Sequence, residues 1–463
     1  MRTAAVFLLL FALQSAGTIR TPGILCAESL SFEQVRKLAE DRSEILMLQR
    51  SALRQAGLSL AETRSRLGPE LSFQASGSYL ANPPEGITVR AGELGTIPNP
   101  LPPPALIAVP AEDLTFIEDS RHGYFEFTLE LRQPLYTWGK LENAVDLAAL
   151  GLDASRAEFS ERVQELNRDL HGAYFSGVLA RESAGLLQQI LDILLEIEQD
   201  RQRAFQLGSV NKLAVLQIQT QLSAVRRQLV QAQEAYRTAL QALALYTGLD
   251  PLSLSLDSGF RTELPDIAEA ELKEQAAENA PTLKKVLLER EQARVNLKLV
   301  RGGAILRPDF SFKLSFEVSG QAIPWSEAGW QDTWKLNLIA GVGMDGSLFD
   351  SGRSGQQLRQ AEEVMAASQQ TIELTRKQLH LQVRQAVEAL RQRWAELQET
   401  RTALSQAAEE EKNAREGFDQ QILTREHWGA ARIALLQKRL DVLRYAYSFE
   451  RALHELESLA GFY

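Results

Sequence analysis

Two stretches, Gly139–Leu207 and Gly352–Gln420, run without a proline and are dense in Ala, Leu, Gln, Glu and Arg, the composition of long helices. At 1.5 Å per residue each would extend about 100 Å, which no globular core is thick enough to enclose. In the first, Leu166, Leu170, Ala173, Val178, Leu186, Leu187, Ile190, Leu194 and Ile197 recur at helical spacing among many polar residues. So narrow a stripe predicts helices packed side by side in a coiled-coil layer, with one face left to water.

The two stretches align with each other. Gly139-Lys140 matches Gly352-Arg353 at an offset of 213 residues. The same offset pairs Leu166 with Leu379, Phe205 with Phe418, Leu222 with Leu435, Tyr236 with Phe449 and Gly248 with Gly461, and no gap is needed from Pro134 to Gly248. Upstream, Pro69, Leu71 and Phe73 match Pro308, Phe310 and Phe312 at an offset of 239. The chain reads as two repeats, 28–250 and 267–463, joined by a linker at 251–266. Each has a helix (Phe32–Leu67; Ala268–Leu306) ending before a proline, then a strand, a loop, a second strand, a long helix, a short break and a return helix (211–247; 424–460).

The expected strands lie near 70–80, 123–133, 309–319 and 333–346. In the second, Phe125, Phe127, Leu129 and Leu131 alternate with Glu126, Thr128, Glu130 and Arg132. The third sets Phe310, Phe312, Leu314 and Phe316 against Ser311, Lys313, Ser315 and Glu317, and the fourth sets Trp334, Leu336 and Leu338 against Lys335 and Asn337. This is the period of a strand between two different solvents, and about ten residues is the length of a tilted transmembrane strand. One reading is an ordinary antiparallel sheet packed on helices. The other is a lipid-facing sheet. Four strands cannot close a barrel and open edges are costly in lipid, so that reading requires further copies of the chain. The Pro- and Gly-rich segment Ala81–Glu118 is expected to pair in no sheet.

Arg2, the apolar run Ala4–Leu13 and the small residues after it read as a secretory signal peptide over 1–27, too short to span a membrane as a helix. Cleavage near Ala27 would leave a mature chain without cysteine. Cys26 raises the alternative of a lipid anchor, against which the bulky Leu25 stands where a small residue is required.

A net charge of −10 makes nucleic acid a poor partner. The five histidines form no HExxH, so no metal is expected, and no nucleophile–base pair or phosphate loop points to an enzyme or a cofactor. Gly341-Val342-Gly343-Met344-Asp345-Gly346 matches a dinucleotide-loop pattern, with Glu362 near the acidic position. Yet it falls inside an alternating strand, and the other repeat has Thr128, Glu130 and Gln133 there. Two alternatives remain: a structural coiled-coil envelope protein without a channel, which leaves the strands without a role, and an exported enzyme with an unrecognised site, against which helices about 100 Å long argue.

The duplicated helix–strand–strand–long helix–helix order resembles TolC-type outer-membrane efflux proteins, the outer membrane factors. The resemblance rests on Pro69 and Pro308 before the first strands, and on QPLYTWGK and GSLFDSGR leading into the long helices. It rests also on the break FQLGSVNKLAVLQIQ and the closing Leu-Tyr-Thr-Gly and Leu-Ala-Gly ends. It implies a mostly α fold with a membrane β-barrel portion: a homotrimer whose four strands per chain make twelve, above a coiled-coil helical tunnel crossing the periplasm. It implies an exit duct in the outer membrane, joined by a periplasmic adaptor (membrane fusion protein) to an inner-membrane pump that supplies the energy. Phe125, Phe127, Leu129, Leu131, Phe310, Phe312, Leu314, Phe316, Leu336 and Leu338 would then face lipid. Leu207, Gly208, Ser209 and Val210, with Ile422, Leu423 and Thr424, would meet the adaptor. The family's first break has a glycine followed six residues later by Asp. Here that residue is Ala214, and the second repeat has Gln421 and His427 in the two places. A gate at this end would therefore fall to Glu426 and His427.

Overall fold

The structure, a computed structural model, describes residues 28–83, 85–98, 106–117, 122–257, 259–266, 268–303, 307–321 and 330–461. The expected signal peptide and Cys26 lie outside these residues. In chain order the elements begin with β1 (Glu28–Leu30), α1 (Phe32–Arg42), α2 (Glu44–Ser65), β2 (Glu70–Tyr79), β3 (Ile87–Val89), β4 (Thr96–Pro98), β5 (Leu106–Ala108) and β6 (Leu114–Ile117). Next come β7 (Gly123–Tyr136), α3 (Lys140–Gln206), α4 (Lys212–Thr247), β8 (Leu254–Leu256), α5 (Glu269–Asn279) and α6 (Pro281–Gly302). The chain closes with β9 (Asp309–Gly320), α7 (Trp330–Thr333), β10 (Lys335–Asp345), α8 (Arg353–Asp419) and α9 (Arg425–Ala460). The two long helices each hold 67 residues and the two return helices each hold 36.

Two compact units are formed, and each draws chain from both halves of the sequence. The helical unit comprises the chain to Arg50, Phe159–Pro281 and Arg376–Tyr463; the sheet unit comprises Ser51–Glu158 and Thr282–Thr375.

In the helical unit the stripe of α3 is core. Leu166, Leu170, Val178, Leu187, Ile190, Leu194 and Ile197 are buried, while Ala173 and Leu186 are half-buried. Leu222 and Leu229 of α4 and Leu436 and Leu440 of α9 complete the cluster around Ile190 and Ile197. A second cluster joins Val387, Leu390 and Leu397 of α8 to Phe449, Leu453 and Leu456 of α9. A two-strand parallel ladder that the sequence pattern did not predict, β1 with β8, closes over α3. The Tyr174 hydroxyl donates to the carbonyl oxygens of Leu30 (2.9 Å) and Asp257 (3.0 Å), tying both strands to the helix. Burial pushes the Tyr174 phenol up to about 12.

Two expectations are corrected. The first helix of each half is not continuous: α1 and α2 part at Ser43, and α5 and α6 part at Ala280. Both break residues are extended, with φ −60°, ψ 122° at Ser43 and φ −58°, ψ 119° at Ala280. Pro281 explains the second break, because a proline disfavours helical backbone in the residue before it. At Ser43 the buried side chain sits in the same bend without a proline. The second correction concerns Ala81–Glu118, which does pair: β3 with β6, and β4 with β5. Both ladders are two-stranded, and Pro98 ends its strand, a place where a missing N–H costs no ladder bond.

Candidate functional site

The sheet unit is organised by one antiparallel sheet of order β10-β9-β7-β2. Its register collects the alternating residues into rows. Phe73, Leu129, Phe316 and Leu338 stand opposite one another across all four strands. So do Ala75, Phe127, Val318 and Leu336, and Leu71, Leu131, Leu314 and Ala340. On β9 and β10 the same face continues through Phe312–Val342 and Phe310–Met344, while Phe125 of β7 lies opposite Gly320 and Gly77. The other face carries Gln74, Thr128, Glu317 and Asn337 in one row and Glu70, Arg132, Lys313 and Gly341 in another. Thus the sequence-predicted apolar set shares one face, because residues directly opposite in a ladder point the same way. The fourth strand begins at Lys335, so Trp334 lies just ahead of it, its ring stacked 5.9 Å from that of Phe127.

At its outer strands both faces of the sheet are open. Every residue of β2 is exposed, as are ten of the eleven in β10. Phe73 is 69% exposed, Leu338 67% and Val342 66%. An apolar face of this extent left bare is not the surface of a water-soluble monomer, and the sheet packed on helices that an ordinary reading requires is not what forms. Gly341 and Gly343 lie in this antiparallel sheet rather than at a strand-to-helix turn, so the dinucleotide pattern has no phosphate-binding context.

The breaks between long and return helices are built alike. Gly208 takes φ +74° and Gln421, at the equivalent place, φ +61°. Glycine adopts that region freely, whereas glutamine does so at a cost of about 1–2 kcal/mol. Asn211 and Thr424 cap the return helices, their side-chain oxygens accepting from the backbone N–H of Ala214 (3.0 Å) and His427 (3.4 Å). Leu207 is 82% exposed and Ile422 73%, whereas Leu423 is half-buried against Gly417, and Ser209 and Val210 complete the first break. Glu426 is ion-paired with Arg201. His427 is exposed, with Nδ1 2.7 Å from the Thr424 hydroxyl.

The sequence reading missed a buried polar cluster in the helical unit. The imidazoles of His171 on α3 and His454 on α9 stack with centroids 3.7 Å apart at an interplanar angle of 6°. Nε2 of His171 lies 3.3 Å from Oε1 of Glu450, a carboxylate 1% exposed. From the linker, Arg261 donates through its backbone N–H (2.8 Å) and Nε (2.9 Å) to Glu450, and through Nη1 (2.5 Å) to Glu457. Burial alone raises the Glu450 carboxyl, but hydrogen bonds from His171 and Arg261 and the guanidinium charge outweigh it and hold the group at about 2. Burial pulls the His454 imidazole down to about 3, and the neighbouring His171 and Arg261 reinforce the shift. The available signal was on α9: Glu450, Leu453, His454 and Glu457 follow the i, i+3, i+4, i+7 spacing of its buried face.

The family model for outer membrane efflux proteins matches residues 35–249 and again 272–462. The chain belongs to the outer membrane efflux protein family. Its place is the outer membrane and its work is that of an exit duct. Solved structures agree in fold. The CmeC outer-membrane channel of Campylobacter jejuni superposes with a TM-score of 0.72 at 18% identity, covering 93% of this chain and 85% of that one. VceC of Vibrio cholerae gives 0.69 at 16% identity over 93% and 96% of the two chains. The open-state MtrE channel of Neisseria gonorrhoeae gives 0.69 at 15% over 93% and 88%. A comparison with curated protein sequences finds no match.

Proposed function

We propose that three copies of the chain assemble as a passive conduit. Four strands from each close a twelve-stranded barrel, and the long and return helices form the periplasmic tunnel. The observation that carries this is the apolar row Phe73–Leu129–Phe316–Leu338, exposed on a sheet whose outer strands β2 and β10 each lack a partner on one side among the described residues. Those edges cannot face lipid unpaired. Phe125, Phe127, Leu129, Leu131, Phe310, Phe312, Leu314, Phe316, Leu336 and Leu338 face lipid in this reading, and the Glu, Thr, Lys and Arg rows face the water-filled lumen. Detergent extraction of the envelope is expected to yield a trimer from the outer membrane, by mass corrected for bound detergent. A monomer in the soluble periplasm would overturn the proposal.

The hairpin ends serve as the contact for a periplasmic adaptor, through which an inner-membrane pump drives transport. Leu207 and Ile422 are the exposed apolar groups there, flanked by Gly208, Ser209, Val210, Leu423 and Thr424. Glu426, held by Arg201, and His427 occupy the gate position. The double variant Leu207→Asp/Ile422→Asp is expected to reach the outer membrane at the wild-type level and to lose at least tenfold of the adaptor captured by cross-linking from Ser209 in cells. Undiminished capture would remove these residues from the contact.

A further inference from the structure

The helical unit contains a cavity of about 700 Å³. Phe32, Phe175, Leu272, Leu453 and Leu456 line it with apolar surface, and the buried group His171, Glu450 and His454 also borders it. Glu33, Asp266 and Glu271, all exposed, bring carboxylates to the same space, as does Glu457. Its two guanidiniums are already engaged: Arg36 with Glu33 at 2.8 Å, and Arg261 with Glu450 and Glu457. With five carboxylates against two arginines in the lining, the cavity is net acidic. His454 adds no compensating charge at neutral pH, since its imidazole is held at about 3.

A pocket of this size with apolar and aromatic walls and a few charged groups, net acidic, has the form of a small-molecule site. We propose that the cavity binds an organic cation, an amine or quaternary ammonium carrying an aromatic or aliphatic body. The body lies against Phe32, Phe175, Leu272 and Leu456, and the cationic head meets Asp266 and Glu271. Neither carboxylate is consumed by an ion pair with a described residue, and Glu271 only accepts a 3.4 Å hydrogen bond from Gln275. Aromatic faces add attraction for a cation and none for an anion. An anion would face five carboxylates against two guanidiniums, of which only Arg36 keeps a buried nitrogen, its Nε, without a hydrogen bond to a described residue, and a neutral body of equal size forgoes the charge interaction. The site is independent of whether the sheet closes a barrel.

The test uses the purified full chain in neutral detergent and monodansylcadaverine, whose fluorescence reports entry of its dansyl ring into an apolar site. Saturable binding of one probe per chain is expected, with the N-acetylated, uncharged analogue at least tenfold weaker. The double variant Asp266→Asn/Glu271→Gln, at exposed positions that leave the core intact, is expected to weaken the charged probe at least tenfold. Ala268→Phe, also at an exposed lining position, fills the space and abolishes binding without altering the circular dichroism spectrum. Non-saturable uptake matching empty micelles, equal binding of the acetylated analogue, or unchanged binding by either variant would overturn the proposal.

Discussion

Leu129→Arg is expected to remove the protein from the outer membrane, while Thr128→Arg, one residue away, leaves assembly near the wild-type level. The two positions differ only in the face they occupy. Leu129 sits on the central strand β7 in the row Phe73–Leu129–Phe316–Leu338, and Thr128 sits in the row Gln74–Thr128–Glu317–Asn337. An arginine on the lipid face of a barrel costs about 2–4 kcal/mol near the bilayer midplane, and the cost recurs in every copy of a trimer. On the opposite face, the lumen face of the proposed barrel, the guanidinium would stay hydrated and has Glu126, Glu130 and Glu317 on the same face of the sheet. The measurement is the fraction of total protein recovered as detergent-extracted oligomer. Equal recovery of the two variants would mean that the apolar rows do not face lipid.

That contrast could be drawn from the sequence because a strand has a period of two, so adjacent residues take opposite faces. Alternation in Phe125–Arg132 assigns each side chain a face before any partner strand is known, and the observed register keeps all four apolar sets together. The helix ends were legible for a local reason too: Gly208, Asn211 and Thr424 are residues whose backbone or side chain suits a break or a cap. Legibility fails where local chemistry is silent. The bend at Ser43 has no proline, and it matches the bend at Ala280 only in three dimensions. The three-residue ladders β3–β6 and β4–β5 are too short to show a period. The buried polar cluster was hidden for another reason. His171, Arg261 and Glu450 come from three distant segments, and spacing in sequence says nothing of their meeting.

That cluster sets the other large effect. Glu450→Ala is expected to destabilise the helical unit by about 1–3 kcal/mol at pH 7, because it leaves the Arg261 backbone N–H and the His171 imidazole without the buried carboxylate they bond. Arg261 would keep Glu457 but lose both the backbone and the side-chain bonds it makes to Glu450. The same groups make the wild-type unit acid-sensitive in two steps. His454 titrates at about 3 when folded, below the ordinary imidazole value of about 6.5, so the unfolded chain binds the proton first. Its contribution is complete above about 6.5 and is lost as pH falls toward 3. Glu450 titrates at about 2 when folded against about 4.3 unfolded, so its contribution is complete above that unfolded value and is lost as pH falls toward 2. Both steps run the same way: urea midpoints are expected to fall steadily from pH 7 to pH 4. His454→Phe should flatten the decline between pH 6.5 and 5, where Glu450 has not begun to titrate. In Glu450→Gln the part below pH 4.5 should shrink. Were the midpoint equally steep in His454→Phe above pH 5, the buried imidazole would not be the group that gains the proton on unfolding.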